Sequence, residues 1–536
     1  MGISTWTDVA RFLRNFWPRL VAISFAVIIP CLWHPHIEAG DLPSHVYNAW
    51  LAHLIKTGQA PGLWLARRWN NVLFDLALSG IGNVVGWGAA EKIATCGAVL
   101  IFFWGAFALV CAMTRRLNWF LLPCLAIIAY GWTFEMGFMN CYISLGLAFF
   151  ALAALVRGRG WERGLAVVLA PLIWLAHPLG LALLVTLGAY AVLAERLPLR
   201  HRLYLFVTSA LVLVGIHIFI RVHYLTGITW RYEPHYVLDG FDQVLLYGSQ
   251  YLLPARLFRA FVWACLLVDL VRHRHTLRWW CPYLLSSELC ALTLMAVTLL
   301  PNGIDTGLFH RIGFLSIGFL TERLTTVAAI LVCCLLGAVK PEKWHLIGFA
   351  TIAAIFFFFS YNDTATINRV EEQMGRLVRS IPPGQRVVGT IMTFPCRNHM
   401  DTAHIIDRAC IGHCFSYGNY EPASGQFRTR ANFGNPFVMT DWRPITEVQH
   451  GNYIVQTRDL PLFEIYQCGS TVTALCVREL AAGDRTRTTL PVANSCTWVS
   501  LFNGVVLFFD LLLATVMIMG AYAGRWLIAR VKQAAS

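Results

Sequence analysis

Residues 164–194 read GLAVVLAPLIWLAHPLGLALLVTLGAYAVLA, a run without a charged side chain in which His177 is followed at once by Pro178. An α-helix needs roughly 20 apolar residues to cross a hydrocarbon layer about 30 Å thick, so this run is too long for one crossing. Proline has no amide hydrogen and interrupts the helical ladder. The spacing therefore predicts two spans that turn at His177-Pro178, with a single kinked helix as the alternative.

The same ruler, carried outward, marks spans near 18–34, 91–113, 118–133, 141–157, 163–177, 178–194, 203–222, 256–271, 281–300, 313–338, 345–361 and 498–522. Composition agrees: the 536 residues are 57% hydrophobic and only 13% charged, with a mean hydropathy of +0.58. Soluble proteins carry roughly a quarter charged residues. The expected class is mainly α, a polytopic α-helical membrane protein with about 12 spans by this ruler.

A formal charge of +13 raises the question of nucleic acid. The basic residues, however, sit in short loops between apolar runs, as with Arg115 and Arg116, Arg157, Arg159 and Arg163, Arg196, Arg200 and Arg202, Arg272 and Arg274, and Lys340 and Lys343. Lys and Arg beside spans resist translocation, so this basicity reads as topology and nucleic-acid binding is set aside. With Arg11 and Arg14 placing the N-terminus inside, both termini are expected in the cytoplasm. Segments 35–90, 224–255, 301–312 and 362–497 then fall outside the membrane. The first apolar run lacks a small-residue cleavage site and reads as a retained anchor.

Three regions follow: a membrane module over 1–361, a water-exposed segment over 362–497, and a final span with a tail over 498–536. The middle region is rich in Asn, Asp, Thr, Arg and Pro. An amphipathic helix near 363–380, the turn Pro382-Pro383-Gly384, and β-rich runs at Val387–Met392 and Thr471–Val477 suggest an external α/β or α+β domain. Six of the sixteen cysteines lie here, at Cys396, Cys410, Cys414, Cys468, Cys476 and Cys496. Outside the cytoplasm they suit disulfides, with the pairing open and reduced thiols as the alternative. Cys410 and Cys414 with His404 and His413 match no common zinc spacing.

The first external loop opens His36-Ile37-Glu38-Ala39-Gly40-Asp41-Leu42-Pro43-Ser44-His45-Val46-Tyr47-Asn48-Ala49-Trp50 and closes through Pro61-Gly62-Leu63-Trp64. Asp41 precedes a proline well suited to a helix start, where free amides and the helix dipole favour an ionised carboxylate. Asp41 and His45, four apart, share one helical face. Helix capping alone also accounts for an aspartate in this place. Among groups outside the membrane, Arg67, Arg68, His177, His310 and Arg311 could meet a phosphate, with Glu38 and His45 as further polar partners. Interfacial anchoring explains Arg67 and Arg68 equally well, snorkelling explains Arg311, and a satisfied helix break explains His177. The water-exposed run Tyr417-Gly418-Asn419-Tyr420-Glu421-Pro422, with Phe427 and Arg428, suits either a carbohydrate or simple packing over the membrane part.

A first span followed by a long external loop with G-D-x-P-S-H-x-Y-x-A and G-x-x-P-G-L-W resembles the C-type glycosyltransferase superfamily (GT-C). The later stretch Glu135-Met136-Gly137-Phe138-Met139-Asn140-Cys141-Tyr142, the His177-Pro178 break and the Leu300-Pro301 exit are similar to features of bacterial members. The resemblance spans roughly residues 18–360 as architecture and is motif-specific only in the first loop. It implies a bacterial inner (cytoplasmic) membrane enzyme with a periplasmic domain. Such an enzyme takes a sugar from a polyprenyl-phosphate donor and passes it, with inversion, to a glycan, lipid or protein acceptor. It implies that Asp41 acts as general base on the acceptor or positions it. Members with adjacent acids differ from this chain, where Glu38 stands three residues upstream of Asp41 and Leu42 follows it directly, so the paired-acid form does not carry over. A divalent metal is left open. Competing classes are a transporter or flippase, against which stands the lack of similarity between the halves of the chain, and a non-catalytic membrane assembly subunit.

Overall fold

A computed structural model describes residues 6–158, 160–230, 240–273, 283–305, 317–391, 400–469, 471 and 473–487. Helices occupy the apolar runs up to residue 361, and the last expected span, 498–522, lies outside the described residues. Among the described residues, five helices are long and apolar enough to cross a membrane: Trp87–Thr114, Met139–Arg157, Pro178–Arg196, Leu199–His223 and Lys343–Ser380. The chain is a membrane protein built mainly of helices.

We label the helices that matter here α1 (Leu42–Lys56), α2 (Leu73–Val85), α3 (Trp87–Thr114), α4 (Met139–Arg157), α5 (Pro178–Arg196), α6 (Leu320–Leu336) and α7 (Lys343–Ser380). Between lipid-embedded helices there is little hydrophobic drive, so close backbone approach at small residues holds them together. Helices α3 and α4 meet in this way at Gly105 and Gly146. A Cβ on Gly146 would lie 2.7 Å from the Phe102 backbone. The 164–194 run forms two helices that both pack on α4, Trp161–Ala176 and α5, joined by His177 in an extended conformation (φ −164°, ψ 135°). His177 Nδ1 accepts the Leu179 amide at 3.1 Å and Pro178 begins the next helix, which caps it.

Two expected spans take another form. The 118–133 run breaks into Leu122–Ala129 and the short helix Trp132–Glu135. Gln243 fills the break: its Oε1 receives Thr133 N at 3.3 Å and Thr133 Oγ1 at 3.2 Å, and its Nε2 donates to Glu322 O at 2.9 Å. A backbone freed from its helix at this depth needs such internal partners. The 345–361 span and the amphipathic helix near 363–380 are one continuous helix, α7, which runs from the membrane part into the water-exposed region. Arg202, counted above with the cytoplasmic loops, is buried and donates to both Glu288 oxygens at 2.8–2.9 Å. The Tyr283 hydroxyl donates to Asp269 at 2.7 Å.

Beyond α7 the chain forms a four-stranded mixed sheet, with strands β1 (Arg386–Thr390), β2 (Phe415–Ser416), β3 (Leu462–Gln467) and β4 (Leu475–Leu480) in the order β2-β1-β3-β4. β1 runs parallel to β2 and β3, and β3 runs antiparallel to β4. The sheet unit sits on the first loop, because α1 is buried along most of its length against it. Ser416 N donates to Tyr47 Oη at 2.9 Å, Asn419 Nδ2 donates to Asn48 Oδ1 at 2.9 Å, and Trp50 lies against Phe415. Leu63–Leu65 pairs with Thr429–Ala431 as a two-stranded antiparallel ribbon. Arg408 clamps the other side, bonding both Glu371 oxygens at 2.7 Å and the Ile37 carbonyl at 2.8 Å.

Candidate active site

Asp41 is fixed by its backbone. Gly40 N donates to Glu135 O at 2.6 Å and Asp41 N donates to Met136 O at 3.0 Å, so the turn after Trp132–Glu135 grips the residue from below. Gly137 makes that turn at φ +75°, a conformation L side chains rarely adopt. A Cβ there would press on the Asp41 amide nitrogen and lie 2.7 Å from that of Leu42.

The side chain departs from simple capping. Asp41 stands just before α1 with φ −79° and ψ −10°, and its carboxylate takes no hydrogen bond from the helix amides. Its Oδ1 lies 3.6 Å from His404 Nε2. Oδ1 is buried and has no hydrogen-bond partner among the described residues. Burial raises the Asp41 pKa above the ordinary carboxylate value, outweighing the opposing pull of His404, His45 and Arg323. The low value expected of a helix terminus is thus reversed, because desolvation acts on a carboxylate turned away from the helix amides.

A cavity of about 430 Å³ opens beside it. Of the residues singled out in the sequence, Asp41, His45, Arg68 and His177 line it. Tyr420, from the run read as suiting a carbohydrate, joins them, and so do Arg323, His404 and Asn140, which the sequence reading did not assign to the site. Asn140 stands in the 135–142 stretch, and His404 and Tyr420 lie in polar parts of the water-exposed region, so a partial signal existed for these three. Arg323 follows Glu322 in an apolar helix and carried none. Asn70, Asn71 and Gln426 add amides to the wall, and Phe138, Phe427 and Trp442 add aromatic faces. Glu38 lies elsewhere, receiving Asn368 Nδ2 at 2.6 Å. Arg67 is exposed outside the cavity, and His310 and Arg311 fall outside the described residues.

Cationic groups share the cavity with Asp41. The Arg323 guanidinium lies over the Phe138 ring, 4.3 Å from its centre, with Nη1 3.2 Å from His177 Nε2. His177 Nδ1 accepts the Leu179 amide, so in the neutral ring Nε2 carries the proton and faces the Arg323 N–H, a donor-to-donor contact that an anion beside it would relieve. Arg323 Nε has no hydrogen-bond partner among the described residues. An oxyanion lodged here would receive hydrogen bonds from both side chains. Arg68 reaches the wall from the other side, donating to the Gly425 carbonyl.

Two histidines are held by acids behind the wall. His45 Nδ1 lies 2.8 Å from Asp75 Oδ1, and Asn140 Nδ2 donates to Asp75 Oδ2 at 2.7 Å. Burial disfavours charge on His45, but Asp75 outweighs it and holds the pKa at about 9. His404 Nδ1 lies 3.2 Å from Asp407 Oδ2. Burial lowers its pKa as well, yet Asp407 and Asp41 keep it above the ordinary imidazole value. Disulfides join Cys410 to Cys414 and Cys468 to Cys476. Cys396 and Cys496 lie outside the described residues.

No family profile matches the sequence, and no curated protein matches it. The chain is similar to two crystal structures of ArnT from Cupriavidus metallidurans, one in the apo state and one bound to undecaprenyl phosphate. The first is 12% identical with a TM-score of 0.45, over 85% of this chain and 93% of that one. The second is 11% identical with the same TM-score, over 84% and 93%.

Proposed function

We propose that the chain is a membrane glycosyltransferase that takes a sugar from a polyprenyl-phosphate carrier and passes it, with inversion, to an acceptor hydroxyl. The observation that carries this reading is the buried, hydrogen-bond-free Oδ1 of Asp41 in one cavity with Arg323 and His177. A carboxylate with a vacant acceptor position and a raised pKa suits removal of a proton from a hydroxyl. In the step itself the acceptor O–H gives its proton to Asp41, the acceptor oxygen bonds to C1 of the sugar, and the bond from C1 to the phosphate oxygen breaks. The leaving polyprenyl phosphate carries the electron pair, with Arg323 and Arg68 as counter-charges and His177 as a hydrogen-bond donor to it. The amides of Asn70, Asn71 and Gln426 suit sugar hydroxyls, and Trp442 and Phe427 offer faces for a pyranose ring.

The acceptor is a glycan, lipid or protein outside the cytoplasm, and the sheet unit is read as the periplasmic domain of an inner-membrane protein. Two disulfides in that unit support an oxidising compartment. The test is transfer from a polyprenyl-phosphate sugar by purified wild type and Asp41→Asn. Loss of a general base costs about 10²- to 10⁴-fold in rate. A stably folded D41N that transfers at the wild-type rate overturns the assignment.

A further inference from the structure

A second set of ligand-bearing side chains shares His45 with the cavity wall and reaches behind it. His45 from α1, Asp75 from α2 and Glu421 from the sheet unit bring one donor atom each to within 4.8 Å of one another. The Glu421 side chain is buried, and its Oε1 has no hydrogen-bond partner among the described residues. That oxygen lies 3.9 Å from His45 Nδ1, too far for a hydrogen bond and aimed at the atom Asp75 already meets at 2.8 Å. The His45 proton meets Asp75 alone, and the second carboxylate is left with a buried oxygen that a shared metal ion would satisfy.

We infer that His45, Asp75 and Glu421 form a binding site for one divalent transition cation of the Zn²⁺ class, which ties the sheet unit to the first loop. One imidazole and two carboxylates with an open fourth position suit Zn²⁺ better than Mg²⁺, which prefers all-oxygen shells. Ligands at 2.0–2.2 Å in a tetrahedral shell stand roughly 3.4 Å apart. To reach that spacing the His45–Asp75 pair opens from 2.8 Å, Glu421 closes on His45 from 3.9 Å, and no donor pair starts more than 4.8 Å apart. The surroundings already supply outer support: Asn140 holds Asp75 Oδ2 and leaves Oδ1 for the ion, while Phe74 and Phe427 flank the His45 ring. The ion takes the place of the proton on His45 Nδ1, which is released. Asp41 lies outside this donor set, so the inference goes beyond the proposed transfer reaction and does not depend on it.

The test is zinc content and affinity, read on the tag-free, full-length protein in detergent after chelator stripping and titration with Zn²⁺. Wild type is expected to retain one ion per chain after desalting. Glu421→Gln, which keeps the side-chain volume, should bind at least tenfold more weakly while remaining monodisperse. X-ray absorption on zinc-loaded wild type, which needs no variant, should give a nitrogen and oxygen shell with one imidazole. Substoichiometric retention by wild type, equal affinity in a folded E421Q, or a shell with sulfur or several imidazoles each overturn the site. Loss of sugar transfer in D41N with zinc binding intact would leave both proposals standing, and unimpaired transfer in D41N would remove only the first.

Discussion

Gly137→Ala tests the claim that a backbone turn, rather than the side chain's own neighbours, sets the position of Asp41. The alanine methyl would press on the Asp41 amide and lie 2.7 Å from the Leu42 nitrogen, where ordinary contact begins at 3.4 Å. Both neighbours are backbone, so no side chain can swing away. Holding a non-glycine residue at φ +75° costs about 1–2 kcal/mol. Loss of the Asp41 N to Met136 O bond adds about 1 kcal/mol. Relief of the contact moves the start of α1 by roughly 1 Å, a displacement that costs on the order of 100-fold in rate when it misplaces a reacting group. The assay is sugar transfer under saturating donor together with thermal unfolding in detergent. G137A should lower kcat by about 10²-fold and stability by about 2–3 kcal/mol. A variant with wild-type kcat and melting temperature would refute the reasoning, because the turn would then not fix Asp41.

Other consequences follow from buried charge. Because burial raises the Asp41 pKa in the folded protein, the ionised carboxylate carries a penalty above the ordinary carboxyl range of about 4, and the penalty disappears as pH falls below it. Asp41→Asn should therefore melt above wild type at pH 7 and converge with it under acid; a variant that melts lower at pH 7 contradicts this. Glu288→Gln leaves Arg202 buried without its counter-charge and should cost about 3–5 kcal/mol by thermal unfolding, while the joint change Arg202→Met with Glu288→Leu should recover most of it. Unchanged stability in E288Q would mean that the pair is not held in the folded protein. Peptide mapping without reduction should link Cys410 with Cys414 and Cys468 with Cys476. Removal of the second bridge should cost roughly 2–3 kcal/mol by loop closure, and free thiols at these positions would refute the pairing.

Much of the fold was legible because hydrocarbon thickness imposes one length on every crossing helix. The 164–194 run betrayed its break through one proline and one histidine, both local signals. The 118–133 run misled, since Gln243, more than a hundred residues away, is what makes a broken helix tolerable there. The site divides in the same way. Asp41 and His45 were found because a glycine, a proline and a helical repeat are written beside them. Arg323 was missed because its role arises where α6 approaches the His177 break, and nothing beside it in sequence reports that approach. Asp75 hides in the apolar run Leu73-Phe74-Asp75-Leu76-Ala77-Leu78, where its meaning depends on His45, thirty positions back. The pairing of Leu63–Leu65 with Thr429–Ala431 is a contact too short and too distant in sequence for any pattern to announce.

Sugar transfer at this site requires a phosphate that meets Arg323 and His177 in the same cavity as Asp41. A structure of full-length Asp41→Asn with a polyprenyl-phosphate sugar bound tests it directly. Phosphate oxygens are expected within about 3 Å of Arg323 Nη1 and His177 Nε2, with C1 of the sugar turned toward position 41. A phosphate bound elsewhere, or a sugar held outside this cavity, would contradict it.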